Sequence, residues 1–469
     1  MIRLDASKGK GFAVMGLGAS GLATAQALLA SGARVYAWDD DAARREAAAA
    51  NGVPVVDLAN GVWKDVGHLV LSPGIAHTHP RAHPVARLAR KHGAEILGDI
   101  ELLTRSQTSA RYIGITGTNG KSTTTALIGH ILESARRAVQ TGGNFGTPAL
   151  ALAPLDASGH YVLELSSYQL ELVPSAAFDV AILLNISADH LERHGGMDGY
   201  IAAKRRIFTC CGGTAIIGVD DPDCAAIHGA LAGQCTAAII PVSGAKRVPG
   251  GVYAVDGTLY DAIDGDPVAV MNIGAVETLP GPHNAQNAAA AYAAARTSGL
   301  TRAQIADAIA RYPGLAHRQQ CVATIDGVRY INDSKATNPD AAAKALSCYA
   351  AIYWIAGGLP KEGGLDAIDP YLGRIRHAFL IGDAAQDFAA ILAGKVETHQ
   401  CGTLGAALLD ARRRASIEQA GDAVVLLSPA CASFDQFANF EARGAAFARQ
   451  VSRLPGHRRQ IVWDGETAP

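Results

Sequence analysis

The chain has 469 residues, of which 49% are hydrophobic and 18% are charged, and its formal net charge at pH 7 is -2. This length predicts about three domains, and the near-neutral charge excludes a general attraction to nucleic acid or anionic lipid. No apolar run reaches the roughly 18 residues that a membrane span needs, and 8 cysteines without a Cys-x-x-Cys pair argue against a disulfide framework or a zinc site. We therefore expect a cytoplasmic protein that holds any anionic substrate by local charges.

The first hundred residues carry a glycine-rich turn between a strand and a helix. An apolar strand at residues 12–15 is followed by Gly-x-Gly-x-x-Gly at 16–21 and by a helical segment at 22–30. Such a turn presents backbone N–H groups to a diphosphate. Asp39, after the next strand, stands where a carboxylate would meet a ribose hydroxyl. The pattern fits a nicotinamide dinucleotide, but the same geometry holds other diphosphates, including that of a nucleotide sugar.

A second glycine-rich turn, Gly-Thr-Asn-Gly-Lys-Ser-Thr at residues 117–123, follows the apolar strand 112–115. It predicts an ATP site, because the loop amides and Lys121 suit phosphates and the Ser122 hydroxyl suits the accompanying magnesium. The loop departs from the standard P-loop, since Ile115 stands where the first glycine would be. The strand before it and the helix-forming residues after it still favour a phosphate loop over an ordinary turn.

Later strands of this segment also carry polar residues at or near their ends. Glu164 lies in the apolar strand 161–165, where an unpaired carboxylate is costly, so we interpret it as a magnesium ligand, with a buried ion pair as the alternative. His190 follows the strand 180–184 and is either a metal or phosphate ligand or a structural histidine. Lys204 lies in a short basic helix, which by itself indicates a solvated surface.

The remainder of the chain predicts hairpins and then a further α/β domain. Short alternating runs at 251–270 predict β-hairpins appended to a parallel sheet. At 281–287, two asparagines and a histidine precede an alanine-rich helix, either to grip a nucleotide or to cap the helix. Lys335 and Lys361 follow later strands and can bind carboxylates, although exposed lysines usually bind nothing. The strand candidates of this last domain are residues 328–332, 352–356, 378–381 and 424–427.

Together and in this order, these motifs resemble those of the Mur ligases, which form the amide bonds of the peptidoglycan peptide stem. The resemblance covers nearly the whole chain. The segments 333–339 and 428–433 are specifically similar to the branch of the family that adds D-glutamate. The motifs shared with the family at large are residues 117–123, Glu164-Leu165-Ser166-Ser167, Asn185 with Asp189-His190, His283-Asn284 with Asn287, His317-Arg318 and Asp333-Ser334-Lys335.

The resemblance implies an α/β fold of three domains. These are a Rossmann-like UDP-binding domain at 1–99, a central P-loop-type ATPase domain with a parallel sheet and a small β-hairpin region at 100–314, and a Rossmann-like amino-acid-binding domain at 315–469. It implies that the first glycine-rich turn faces UDP rather than NAD. It also implies a cytoplasmic, monomeric ligase that uses ATP and two magnesium ions to join D-glutamate to UDP-N-acetylmuramoyl-L-alanine through an acyl phosphate.

By the same resemblance, individual residues take roles. Those implied for ATP are Gly117, Thr118, Asn119, Gly120, Lys121, Ser122, Thr123, Asn284, Asn287, Arg318 and Asp333. Those implied for the UDP substrate are Gly18, Ala19, Ser20, Asp39, Gly74, Asn144 and His190. Those implied for D-glutamate are Thr337, Lys361, Ser433 and Phe440. Magnesium is implied on Ser122, Glu164, His190 and a carbamylated Lys204, and catalysis on Lys121, His190, Lys204 and Lys335.

Three other functions stay open at this point. One is a family relative that adds another amino acid, such as L-glutamate or L-alanine. Another is a dehydrogenase that uses the turn at 16–21, and the third is a nucleotide-binding protein without catalysis. The last is disfavoured because a mere binder would have no reason to keep the following residues together: Lys121, Ser122, Glu164, His190, Lys204 and Lys335.

Overall fold

The computed structural model describes residues 1–209, 212–231, 238–360 and 364–459. The described residues divide into two compact units: one covers 1–273 with Ala285–Ala310, and the other covers Gly274–Asn284 with the described residues from Arg311. The first unit contains two β-sheets and the second unit contains one. Helices connect most of the parallel strands, which makes the protein α/β, as predicted. Among the described residues, no helix combines the length and apolar character needed to cross a bilayer.

The first sheet has four parallel strands in the order β2-β1-β3-β4. Every residue of the central strand β1 is buried, as expected for a parallel strand covered on both faces. The strands are β1 (Gly11–Met15), β2 (Arg34–Trp38), β3 (His68–Leu71) and β4 (Glu95–Leu97). The helices are α1 (Ala19–Ala30), α2 (Ala42–Ala50), α3 (Pro84–Lys91) and α4 (Asp99–Ser106).

The second sheet has nine strands in the order β13-β12-β11-β10-β9-β8-β5-β7-β6. Strands β5 to β11 pair in parallel, and β12 and β13 add antiparallel hairpins with a turn at Asp256-Gly257, which confirms the predicted hairpins. The strands are β5 (Arg111–Thr116), β6 (Val139–Gly143), β7 (His160–Glu164), β8 (Val180–Leu183), β9 (Thr214–Gly218), β10 (Ala238–Ser243), β11 (Val252–Val255), β12 (Thr258–Asp261) and β13 (Val268–Asn272). The helices are α5 (Lys121–Ser134), α6 (Ser167–Leu170), α7 (Leu191–His194), α8 (Met197–Arg205), α9 (Pro222–Leu231), α10 (Pro282–Thr297) and α11 (Arg302–Ala310).

The first and second sheets share one hydrophobic core. Val14 and Leu28 of the first sheet layer belong to the same buried cluster as Tyr112, Leu150 and Tyr161 of the second. A short 3-10 helix, Ala149–Ala151, packs against both α1 and α4. The boundary between these two layers therefore includes a continuous apolar contact.

The middle of helix α10 consists of alanine except for one tyrosine, and it is buried on every side. Residues 288–295 read Ala-Ala-Ala-Ala-Tyr-Ala-Ala-Ala, and each of them is 0% exposed. The Tyr292 hydroxyl donates to Asp261 Oδ2 at 2.9 Å, so the one large side chain in this stretch has a polar partner. Alanine gives the helix high intrinsic stability and a narrow cross-section.

The third sheet has seven strands in the order β18-β17-β16-β19-β15-β14-β20. Apolar residues of β16 alternate between two cores, with Trp354 in one and Tyr353 in the other, so both faces of the sheet are covered. The strands are β14 (Gln320–Ile325), β15 (Val328–Asn332), β16 (Ala351–Gly357), β17 (Ile375–Ile381), β18 (Glu397–Gly402), β19 (Ala423–Leu427) and β20 (Arg458–Arg459). The helices are α12 (Pro339–Leu346), α13 (Ala385–Leu392), α14 (Leu404–Glu418) and α15 (Phe440–Ser452).

Candidate active site

The loop that joins β5 to α5 has the form of a phosphate cradle. Gly117 and Gly120 have φ angles of +153° and +85°, which L side chains rarely adopt. Lys121 opens α5, and its ammonium donates to the carbonyls of Gly117 at 2.8 Å and Thr118 at 2.9 Å. Asn185 clamps the loop, because its side chain accepts from the Asn119 N–H at 2.9 Å and donates to the Asn119 carbonyl at 3.0 Å.

Gly120 has a second reason to be glycine. A Cβ atom at this position would lie 2.3 Å from Oδ1 of Asn287, a residue of α10. The predicted ATP residues Gly120 and Asn287 are therefore brought into direct contact. Asn287 is itself 2% exposed, so the amide cannot easily move away.

The predicted magnesium ligands Ser122 and Glu164 meet at the carboxyl ends of β5 and β7. The Ser122 hydroxyl donates to Glu164 Oε2, and the amide of Asn144 donates to Oε1 at 2.7 Å. Hydroxyl and carboxylate oxygens are the hard donors that Mg²⁺ prefers. The donor set therefore fits the ion, and Asn144 lies beside the proposed metal ligands rather than away from them.

Lys204 lies in α8, and the expectation of a solvated surface from its local sequence is wrong. The residue is 1% exposed, and its Nζ donates to the Gly117 carbonyl at 2.8 Å and lies 4.6 Å from the Tyr200 ring centroid. Burial, and then the charge of Lys121, lower the pKa of Lys204 well below its ordinary value. A neutral amine is the form that reacts with CO2, so this environment suits a carbamate.

His190 occupies a left-handed backbone position, with φ of +52°, just before α7. Its side chain is 47% exposed, and its Nε2 lies 3.4 Å from Asp189 Oδ2. The His190 and Tyr168 rings are 5.2 Å apart between centroids. The roles of His190 as a metal ligand and as a contact of the UDP substrate stay predictions.

A buried cluster around Glu171 was not anticipated. Glu171 contacts Nδ1 of His194 at 2.9 Å, Nη1 of Arg193 at 3.0 Å and Nε2 of His77 at 3.2 Å. Burial by itself raises the pKa of Glu171, but its contacts with the two histidines and Arg193 outweigh that effect and hold the pKa well below its usual range. His77 follows β3 in the first sheet layer, and no local motif connects it to Glu171, Arg193 or His194, which lie far later in the chain.

The turn after β1 is held by the residues predicted to bind the UDP substrate and by their neighbours. Asp39 accepts from the Leu17 N–H at 2.6 Å, and the Ser72 hydroxyl donates to the Gly16 carbonyl at 2.9 Å. Helix α1 begins at Ala19, directly after Gly18, and no side chain caps its first N–H groups. Ser20 lies in the same first turn, while a Cβ on Gly74 would meet no described atom within 4 Å. A helix start of this kind suits a diphosphate.

In the second unit, Asp333 is buried at the end of β15. Its Oδ2 accepts from the Ser428 hydroxyl at 2.8 Å, and its Oδ1 accepts from the Gln319 N–H at 3.1 Å. Burial raises the pKa of Asp333 to about 7, although these hydrogen bonds and the charge of Arg318 oppose the rise. The predicted ATP residue Asp333 and the 428–433 segment thus meet.

Lys335 and Phe440, predicted for catalysis and for D-glutamate, also meet. The Lys335 ammonium lies 3.9 Å from the Phe440 ring centroid, within cation–π range. The Ser334 hydroxyl donates to the Phe440 carbonyl at 2.8 Å. Ser433 is 2% exposed, and the Thr337 N–H donates to the Lys335 carbonyl at 2.8 Å.

Arg443 organises this region and was missed from the sequence. It is 1% exposed, and its guanidinium donates to the Ser334 hydroxyl at 3.0 Å, the Ser334 carbonyl at 2.9 Å, the Cys431 carbonyl at 3.1 Å and the Ala432 carbonyl at 3.2 Å. An arginine inside an amphipathic helical pattern gives no sign of such a role. Its four bonds tie the 333–335 segment to the 428–433 segment.

The remaining predicted residues have plainer surroundings. The Asn284 amide lies in the first turn of α10 and donates to the Pro280 carbonyl at 2.9 Å. The Arg318 N–H donates to the Leu315 carbonyl at 3.3 Å. Lys361, predicted for D-glutamate, lies outside the described residues.

Comparisons with known proteins match two separate segments of the chain to one family. Residues 115–295 match the Mur ligase middle domain, and residues 317–431 match the Mur ligase glutamate ligase domain. A Rhodospirillum rubrum protein named UDP-N-acetylmuramoylalanine--D-glutamate ligase is 54% identical and covers 99% of each chain. The chain belongs to the Mur ligase family. This confirms the family predicted from the motifs.

Other relatives agree in name and in fold. Proteins of the same name from Paramagnetospirillum magneticum and Rhizobium meliloti are 51% and 46% identical and cover 96% and 97% of this chain and 98% and 99% of their own lengths. The solved UDP-N-acetylmuramate-alanine ligase MurC of Thermotoga maritima is 17% identical, with a TM-score of 0.57 over 94% of this chain and 99% of its own. The MurF ligase of the same organism, solved with ADP, is 16% identical, with a TM-score of 0.53 over 85% and 99%. The predicted three-domain α/β fold is confirmed.

Proposed function

We propose that this chain is an ATP-dependent ligase that joins D-glutamate to UDP-N-acetylmuramoyl-L-alanine in peptidoglycan precursor synthesis. The observation that carries the proposal is the loop at 117–123, with Ser122 against Glu164 at the strand ends, in a chain whose relatives are named for this activity along nearly their whole length. We further propose that the enzyme is cytoplasmic and monomeric.

The proposed reaction activates a carboxylate before the amide forms. The carboxylate of the alanyl substrate attacks the γ-phosphoryl group of ATP, which gives an acyl phosphate and ADP. The amine of D-glutamate then attacks the acyl carbon, loses a proton, and expels inorganic phosphate. Phosphorylation is needed because an ionised carboxylate is a poor electrophile and its oxygen is a poor leaving group.

The first unit supplies the proposed phosphate and metal sites. The amides of 117–120, the start of α5 and Lys121 would hold the ATP phosphates. Mg²⁺ on Ser122, Glu164, His190 and carbamylated Lys204 would neutralise charge as two anions approach. The Nζ atoms of Lys121 and Lys204 both donate to the Gly117 carbonyl, so one loop positions both side chains.

The UDP and amino-acid roles are proposed residue by residue. In the first unit, Gly18, Ala19, Ser20, Asp39 and Gly74 would receive UDP, supported by the uncapped start of α1, with Asn144 and His190 toward the rest of that substrate. In the second unit, Asn284, Arg318 and Asp333 would contact ATP. Lys335 would act on the transferring phosphoryl group, and Thr337, Lys361, Ser433 and Phe440 would receive D-glutamate.

Phosphate release measured with UDP-N-acetylmuramoyl-L-alanine and each candidate amino acid tests the proposed function. We expect release and a product of the corresponding mass with D-glutamate only. Equal or faster turnover with L-glutamate or another amino acid would overturn the substrate assignment. Tight NAD binding without ATP hydrolysis would overturn the ligase itself. K121A should abolish turnover, whereas K64A, at an exposed lysine, should not.

The carbamate on Lys204 has a separate readout. Protein equilibrated with ¹³C-labelled bicarbonate should show one carbamate carbon signal by NMR, and K204A should lose both that signal and turnover. K64A is the matched control and should keep both. Full activity in K204A, or the same signal in K204A and the native chain, would refute the assigned role.

A further inference from the structure

Two histidines and a glutamate cluster at an edge of the third sheet, on residues that the proposed ligase reaction does not use. His377 lies on β17, and Glu397 and His399 lie on the neighbouring edge strand β18. His377 pairs with Glu397 in the parallel register, and Glu397 and His399 are two residues apart, so they point to the same face. The His377, His399 and Glu397 side chains are 6%, 20% and 56% exposed, so the cluster opens to solution.

The distances within this cluster match those between the ligands of one tetrahedral ion. Nδ1 of His377 lies 3.1 Å from Nε2 of His399 and 3.6 Å from Oε2 of Glu397, and Nε2 of His399 lies 3.5 Å from Oε1 of Glu397. Ligands about 2.0–2.1 Å from a tetrahedral Zn²⁺ are separated from one another by about 3.4 Å. The three donors therefore span one face of such a tetrahedron with little rearrangement.

The other nitrogen of His377 is held by a carboxylate, which fixes the direction of the first. Nε2 of His377 is hydrogen-bonded to Glu418 Oε1, and Glu418 Oε2 accepts from the Tyr353 hydroxyl at 2.8 Å. Because a carboxylate accepts, Nε2 carries the hydrogen and Nδ1 presents its lone pair to the cluster. A carboxylate behind a metal-bound histidine is the usual arrangement that orients the ring and raises its basicity.

The geometry points to a Zn²⁺ site formed by Nδ1 of His377, Nε2 of His399 and a carboxylate oxygen of Glu397, with water as the fourth ligand. The absence of paired cysteines in the sequence has no bearing on a site of this kind. In the metal-free protein Nε2 of His399 donates its hydrogen to Nδ1 of His377. When the ion binds, that proton passes to water and His399 takes one up at its own Nδ1, so that both nitrogens facing the ion are unprotonated. Bound zinc would then cross-link the edge strand β18 to β17.

Arg414 is the one described cation that contacts the Glu397 carboxylate, with Nη2 3.4 Å from Oε1. The positive charge of the Arg414 guanidinium would repel a Zn²⁺ ion bound to the same carboxylate. Glu397 has a second oxygen, and Arg414 is itself 36% exposed, so the guanidinium can move outward when the ion binds. Removal of this arginine should therefore strengthen zinc binding, which would not follow if the cluster were only a hydrogen-bonded strand pair.

Zinc titration of the full-length, tag-free, metal-stripped chain, with excess Mg²⁺ present, tests the site. We expect one equivalent of Zn²⁺ to bind in competition with a chromophoric chelator, a tetrahedral absorption spectrum with Co²⁺, and a higher Tm with zinc. H399Q should weaken binding at least 100-fold. E418Q, which alters only the positioning carboxylate, should weaken it about 10- to 100-fold, and R414Q should tighten it.

H457Q is the matched control, because His457 is an exposed histidine of the same unit, and it should bind zinc as the native chain does. E397Q replaces the most exposed ligand and serves in place of H399Q if circular dichroism shows that the latter is unfolded. Unchanged zinc affinity in the folded ligand variant, or an octahedral Co²⁺ spectrum, would overturn the site. None of these residues belongs to the proposed ligase machinery, so the result is independent of ligase activity.

Discussion

At the scale of single residues, Arg443 shows how a buried charge can be held by hydrogen bonds to neutral oxygens. All four of its described hydrogen bonds go to neutral oxygens. Burial is the main reason that its pKa falls to about 10, which still leaves it charged at neutral pH. The dipoles of three carbonyls and a hydroxyl replace the water that the guanidinium would otherwise bind.

R443A should destabilise the protein by roughly 2–5 kcal/mol, because it leaves several buried carbonyls without donors. R449A removes an exposed arginine of the same helix and should change the free energy of unfolding by less than about 0.5 kcal/mol. Urea unfolding of both variants measures the difference. Equal effects of the two substitutions would contradict the role given to Arg443.

Asp333 predicts a specific pH dependence of stability. Its folded pKa of about 7 lies above its ordinary value of 3.8, so the folded state holds the proton more tightly. The stability that this group contributes is fully present below about pH 3.8 and is lost as the pH rises to about 7, at about 1.4 kcal/mol per pKa unit. D333N cannot ionise and should therefore gain stability relative to the native chain between pH 4 and pH 8. A difference that stays constant over that range, by urea unfolding, would disprove the raised pKa.

At the scale of elements, the phosphate loop is placed by contacts on two sides. Asn185, at the end of β8, holds it from one direction, and Asn287 of α10 lies against Gly120. The sequence predicts the loop itself, because its glycines lie between an apolar strand and a helix. It does not reveal the Asn287 contact, which joins positions far apart in the chain.

G120A should harm the loop beyond ordinary backbone strain. A non-glycine residue at φ of +85° costs about 1–2 kcal/mol, and its Cβ would also displace Asn287. G93A is a matched control, because Gly93 has φ of +72° and no described atom within 4 Å of the added Cβ. We expect G120A to lose ATP-dependent turnover and more stability than G93A, as measured by phosphate release and thermal unfolding. Indistinguishable variants would argue against the Asn287 contact.

The sequence pattern misses several strands, among them the apolar β9 and β10 and the mostly polar β18. β18 reads Glu-Thr-His-Gln-Cys-Gly and forms an edge of the third sheet, so a continuous hydrophobic run is not required there. β14, also missed, is only partly buried and lies between β15 and the two-residue strand β20. β16 and β19, buried along their whole lengths, are predicted to within a residue or two. The burial of Lys204 could not be predicted either, because its neighbours Arg205 and Arg206 suggest a solvated helix.

At the scale of the whole molecule, the proposed boundary at 99 falls inside one compact unit. The first and second sheets lie in one compact unit with a common core, and a backbone hydrogen bond of 3.0 Å joins the N–H of Ile2 to the carbonyl of Leu150. The first and second sheets therefore pack as one compact unit, and the domain boundary at 99 stays a prediction.

L150A should destabilise both layers of the first unit together. Leu150 is 0% exposed within the shared core, and a cavity there should cost about 2–5 kcal/mol. Hydrogen exchange should report faster exchange in β1 and in β5 alike. L409A, at a leucine that is 61% exposed, is the control and should have little effect. Faster exchange confined to one sheet would contradict a common core.

The alanine helix α10 has a consequence for how this chain can vary in evolution. The alanines at 288–291 and 293–295 are fully buried, so a side chain larger than a methyl group could not be turned toward solvent. Selection at these sites therefore acts on volume rather than on chemistry, and neutral drift should be confined to residues of about the size of alanine. The alanine-rich stretch 288–295, which looks like low complexity in the sequence, is thereby tightly constrained in side-chain volume.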